Sequence, residues 1–171
     1  YLIRDIRVFM TKIFQNKNLK VVPLFFETCM ALVKNSVGAK TFRNSYAAVG
    51  GKKKDILENG RLSCAFFVSS ILVLFKLIKE IHATVDGTER DMEKSGWTKM
   101  KKPKIGTVLI WEAVNSGRGE HKHIGFYIGK NKAISNHHKK GFPAVHHWTF
   151  GEKNGKEGRK VEAIYWNKKL G

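Results

Sequence analysis

Cys64 and His123 are the residues whose types and surroundings point to chemistry. Cys64 sits in Leu62-Ser63-Cys64-Ala65-Phe66-Phe67-Val68, directly before an apolar run from Ala65 to Ile78 that only Ser69, Ser70 and Lys76 interrupt. Free cysteine is among the most buried residue types, so by itself it signals core more often than catalysis. Its position changes the weighting. A helix N-terminus carries partial positive charge and unpaired N–H groups, and both favour a thiolate. Downstream comes His121-Lys122-His123-Ile124-Gly125-Phe126-Tyr127-Ile128-Gly129. There Ile124, Phe126 and Ile128 alternate with His123, Gly125 and Tyr127, so His123 can face a cleft. Cysteine on a helix start and histidine on a strand are the halves of a nucleophile–base pair.

The elements that must position this pair are helices first and strands afterwards. Residues 1–48 read as helical, with an apolar stripe at Ile3, Ile6, Val8 or Phe9 and Ile13 and a second run from Leu24 to Val33 after Pro23. Ala47 to Gly60 reads as a polar, glycine-bearing loop. Cys64 to Glu80 is the strongest helix, apolar nearly all round and therefore buried between layers. Asp86 to Gly96 reads as a short polar helix that Thr88 caps and Gly96 ends. Strands follow at Thr107–Trp111, His123–Ile128, Ala133–Ser135, Val145–Phe150 and Val161–Trp166, with Gly129-Lys130-Asn131-Lys132 as a hairpin turn. This order predicts an α+β fold, with an antiparallel sheet of about five strands on the cysteine helix.

Composition narrows the partners. The chain has 171 residues and suits one domain with a core, preceded by an appendage. Its net charge is +18, which attracts polyanions such as nucleic acid, anionic lipid or an acidic wall polymer. No zinc-finger spacing or aromatic RNA-binding pattern accompanies the charge. Cys29 and Cys64 are too few for a disulfide framework. The stretch Val21–Val33, with Pro23 and Glu27, is too short and polar for a membrane span or a signal peptide. The compartment stays open: envelope or secreted if a leader was removed, cytoplasmic otherwise. All histidines but His82 fall between His121 and His147, which raises a zinc or nickel site as a rival. Neighbouring residues on a strand face opposite ways, however, and no metal-binding spacing occurs, so neither metal nor cofactor is expected.

Three segments in order resemble the NlpC-type and CHAP-type cysteine peptidases and amidases, over roughly residues 44–166. Leu62 to Val68 resembles their nucleophile segment and His123 to Gly129 their histidine strand. Pro103-Lys104-Ile105-Gly106-Thr107-Val108-Leu109-Ile110-Trp111 resembles the strand between. The resemblance implies a papain-like domain over residues 46–171, after a helical extension over 1–45. It implies cleavage of an amide bond, usually in peptidoglycan peptides, by Cys64 with His123 as base. Departures stand at Ser63 and Ala65-Phe66, where the family has Asp-Cys-Ser-Gly, and at Thr107, where it has Asp. The family's histidine-orienting residue falls at Ser135 by its usual spacing. Asn136 is preferred because its amide oxygen can accept from imidazole N–H, with His137 one step further. Tyr46 resembles the family's upstream tyrosine near the thiol. The alternative is an impaired papain-like binding module whose basic face holds an anionic polymer.

Overall fold

The computed structural model describes residues 20–115, 119–153 and 156–171. The stripe expected over Ile3 to Ile13 lies outside them. Helix α1, Phe25–Asn35, follows Pro23 and buries Cys29, Met30 and Val33 in the main core. The stretch expected as loop holds a hairpin instead, β1 (Tyr46–Val49) with β2 (Lys52–Asp55), turning at Gly50-Gly51 with positive φ at both. Its faces are mostly exposed, so burial gives it no alternation to read.

Helix α2, Cys64–Leu74, stops short of the expected Glu80. The chain leaves it through Lys76 at φ 52°, with Leu77 N–H bonded to Leu72 O and Lys76 N–H to Val73 O. That is a Schellman ending, stabilised by burial of both Leu72 and Leu77. Lysine stands where glycine usually marks this turn, which hid the stop. Helix α3, Val85–Lys94, starts earlier than expected and is capped by Thr84, whose hydroxyl accepts from Gly87 N–H at 3.2 Å. Thr88 lies inside it, its hydroxyl donating to Thr84 O.

The sheet has six strands: β3 (Trp97–Lys99), β4 (Val108–Asn115), β5 (Glu120–Gly129), β6 (Lys132–His137), β7 (Phe142–His147) and β10 (Val161–Asn167). Their order is β3-β10-β4-β5-β6-β7, and all pairings are antiparallel. A short pair, β8 (Glu152–Lys153) with β9 (Lys156–Glu157), stands apart. The β5–β6 turn places Lys130 and Asn131 at φ 51° and 56°, a primed hairpin turn as the residues suggested. The architecture is α+β.

Both sheet faces are covered. Val108, Ile110, Ile124, Phe126 and Ile134 join α1, α2 and Met92 of α3 in the main core. Leu109, Trp111, Ala133 and Ile164 form a second cluster on the other face. Helix α2 lies over β5 and β6, and its Phe67 meets Phe126 edge-on at 5.8 Å between ring centroids. No helix among the described residues is long and apolar enough to cross a membrane.

Candidate active site

Cys64 is the first residue of α2 and is half-buried. The backbone N–H groups of Ala65, Ile124 and Cys64 itself lie near its sulfur and favour its anionic form. The nearness of Ile124 N–H is what brings a residue under one face of the sheet to the backbone of the histidine strand. Tyr127 N–H points to the β4 side, onto Thr107 O, so alternation turns Ile124 N–H towards β6. The β5–β6 ladder stops at Gly125↔Ser135, and beyond it β6 pairs only with β7. The sulfur therefore sits where the two strands part, at the backbone of the residue after His123.

His123 is held from the opposite direction. Its Nε2 lies 2.8 Å from Ser135 Oγ, which lies 2.7 Å from His146 Nε2, while His146 Nδ1 lies 2.7 Å from His147 O. A carbonyl only accepts, so His146 Nδ1 carries a proton and, in the neutral ring, Nε2 is the acceptor. Ser135 therefore donates to His146 and accepts from His123 Nε2–H. His123 is left with a free lone pair on Nδ1, the tautomer a general base needs. Trp111 lies tilted beside both imidazoles, with centroids at 5.5 Å from His123 and 5.6 Å from His146, and is anchored by its Nε1–H on Trp148 O at 2.7 Å. Phe150 lies 4.1 Å from His146, nearly parallel, and 5.7 Å from His123.

Burial dominates the electrostatics. It raises the Cys64 thiol, against the lowering effects of the Ala65 and Ile124 N–H groups and of Arg159. Burial also pushes His123 well below its ordinary value, and the positive field of Arg159 adds to this. The resting pair is therefore neutral thiol and neutral imidazole, not the thiolate that the helix start alone suggested. Arg159 donates to Glu112 O through Nε and Nη2, at 2.9 and 2.7 Å, and through Nη2 to His121 O at 2.6 Å. These bonds fix a cation beside the site.

Of the sequence candidates, His123 and Ser135 come together on the sheet face that carries Trp111, whereas Cys64 packs against the core on the α2 side and meets the histidine strand at the backbone of Ile124. Asn136 does not join them: the pleat sends it to the other face, where its Nδ2 donates to Gly60 O at 2.6 Å. It ties the segment before Cys64 to β6. That segment also needs glycine, because a Cβ on Gly60 (φ +88°) would lie 2.6 Å from the Gly141 backbone. Tyr46 is exposed on the β1–β2 hairpin with Lys53 Nζ 4.5 Å above its ring, and no described contact brings it to the thiol. His137 stacks on His138 at 5.5 Å. Sequence reasoning missed His146 and Arg159. His146 lies opposite Ala133, diagonal to Ser135, a relation that only the β6–β7 register reveals. Arg159 was one basic residue among many.

Both cysteines are free, and burial pushes Cys29 up to about 11. Among the described residues no group of three or more His, Cys, Asp or Glu side chains is placed to hold a metal ion. No protein-family model matches the chain, and no curated protein matches it either.

Proposed function

We propose that the protein is a papain-like, cysteine-dependent amide hydrolase, with peptide amides of the peptidoglycan type as its substrate class. The observation that carries this reading is the oriented base. His123 presents Nδ1 unprotonated because Ser135 and His146 hold its Nε2–H, and Cys64 sulfur lies at the backbone of the next residue, Ile124. His123 takes the thiol proton as sulfur attacks the carbonyl, forming a C–S bond and an oxyanion. The N–H groups at the α2 start face that charge. Collapse breaks the C–N bond, and His123 returns the proton to the leaving amine. Water, deprotonated by His123, then hydrolyses the thioester and restores the thiol. The neutral resting pair suits this sequence, since proton transfer accompanies attack. The NlpC-like and CHAP-like segments and the +18 charge, suited to an anionic wall, support the substrate class.

The test is iodoacetamide labelling of Cys64 against pH in wild type, Cys64→Ser and His123→Ala, followed by hydrolysis assays on wall peptides. Labelling that falls in His123→Ala supports the pair. Labelling that ignores His123 overturns it.

A second reading is favoured by the exposed Lys52, Lys53 and Lys54 on β2. A binding module for an anionic polymer would show steeply salt-dependent association and indifference to Cys64→Ser.

A further inference from the structure

The relay that orients His123 ends in a group that can itself take a proton. We propose that His146 is a positioning residue whose protonation reverses the relay and removes the basic lone pair of His123, so that acid switches the site off through His146. The proposal rests on the reading of His123 as a base.

The argument follows the donors. With His146 neutral, its Nδ1–H is on His147 O, its Nε2 accepts from Ser135 O–H, and Ser135 Oγ accepts from His123 Nε2–H. Protonated His146 is a donor at both nitrogens. Its Nδ1–H keeps the His147 carbonyl, so Nε2–H must donate to Ser135. A hydroxyl receiving that bond turns its own hydrogen elsewhere. Ser135 is only 2% exposed, which leaves His123 Nε2 as the available acceptor. The neutral His123 ring then carries its proton on Nδ1, the nitrogen that was to receive the thiol proton. The alternative, two N–H donors on one hydroxyl with its hydrogen unpaired, leaves a buried donor unsatisfied. No proton is lost from His123 in this exchange; it moves from Nε2 to Nδ1.

The surroundings make His146 the group that titrates. It is half-buried on β7, while His123 on β5 is held neutral by burial and by Arg159. The charged or titratable groups around His146 are His123 on β5, His137 on β6 and His147 next to it on β7, with Arg159 beside His123. Trp111 and Phe150 cover it with uncharged rings. Burial first, and then the charges of His137 and His147, oppose its protonation, whereas the His147 carbonyl favours it. No carboxylate forms a described ion pair with it.

The test reads the tautomer directly by 15N NMR of histidine-labelled protein across the acid range, on wild type and His146→Gln. The expected result is a wild-type His123 protonated at Nε2 above the His146 midpoint and at Nδ1 below it. The His123-dependent rate of Cys64 labelling by iodoacetamide should fall about ten-fold per pH unit below the same midpoint. In His146→Gln the exchange should vanish and the acid limb should move to lower pH, where His123 itself protonates. A His123 found on Nδ1 throughout, or unmoved as His146 titrates, overturns the proposal, and the wild-type spectra suffice if the variant fails to fold. Failure of the hydrolase reading shows separately, as labelling that ignores His123→Ala while the tautomers still exchange.

Discussion

His82 and His123 both end in short hydrogen bonds within the same domain, yet their partners differ. His82 Nε2 donates to Asp91 at 2.9 Å, and the same carboxylate accepts from the backbone N–H groups of Lys79 and Glu80 and from Ser95 Oγ. Burial alone would raise the Asp91 carboxyl, but these bonds bring it down to about 2. The result fastens the chain leaving α2 to α3. His123 meets a hydroxyl instead of a carboxylate, and behind it stands a second imidazole. The carboxylate gives the first region a fixed charge and a fixed role. Without one, the second region keeps its histidine neutral, oriented and able to accept a proton. The difference teaches that two histidines with hydrogen bonds of similar length are set apart by the charge of the partner.

The comparison breaks most visibly at Asp91. Asp91→Ala should cost about 2 kcal/mol in chemical denaturation, because it strands the Lys79 and Glu80 N–H donors and the His82 ring. It should leave Cys64 labelling in the folded protein unchanged, and a change there would join the two regions that the structure separates. His123→Ala should reverse that pattern. Labelling of Cys64 should slow by about 10²-fold, the low end of what a positioned base supplies, with a smaller effect on stability.

Gly125→Ala touches the region around His123 without altering any polar group. Its Cβ would lie 2.7 Å from Ser135 Cβ and 2.6 Å from Ile134 O, so β6 must shift. The expected loss is about 2 kcal/mol of stability, with slower labelling as Ser135 leaves His123; unchanged labelling would free His123 from its dependence on Ser135.

Acid separates the regions more gently. His123, His138 and His146 all have lowered values, largely from burial, so their contribution is complete above about 6.5 and is lost as pH falls below it. Asp55 and Asp91, lowered from 3.8 to about 2, contribute above 3.8 and lose their effect as pH falls through about 2. Denaturation followed against pH should therefore show two descents, and His146→Gln should shrink only the upper one. The smallest effect is expected from Tyr46→Phe, within about 0.5 kcal/mol and with no change in labelling.

Much of the frame was legible in the residues. The buried helix behind Cys64, the alternation of His123 to Ile128 and the turn at Lys130-Asn131 each follow from local pattern. The choice between Ser135 and Asn136 did not, because these neighbours face opposite sides of the sheet and only the register shows which side holds His123. Ser135 alone does not show what completes it, because its support, His146, lies on another strand. The thiolate expectation came from the helix terminus alone, and burial, a tertiary quantity, outweighed it. The Lys76 turn was hidden because a lysine occupies a conformation usually given to glycine.

The Asn136 amide reaches Gly60 across 76 residues of chain. Such a closure carries an entropic cost that local helix formation does not, and contacts of this range tend to form late. Cys64 therefore acquires its special surroundings only when β6 docks on the segment before α2. During refolding α2 can form while its thiol still reacts as in an unfolded peptide. The time at which labelling departs from that behaviour would mark final assembly of the domain, making the cysteine a clock for the last step of folding.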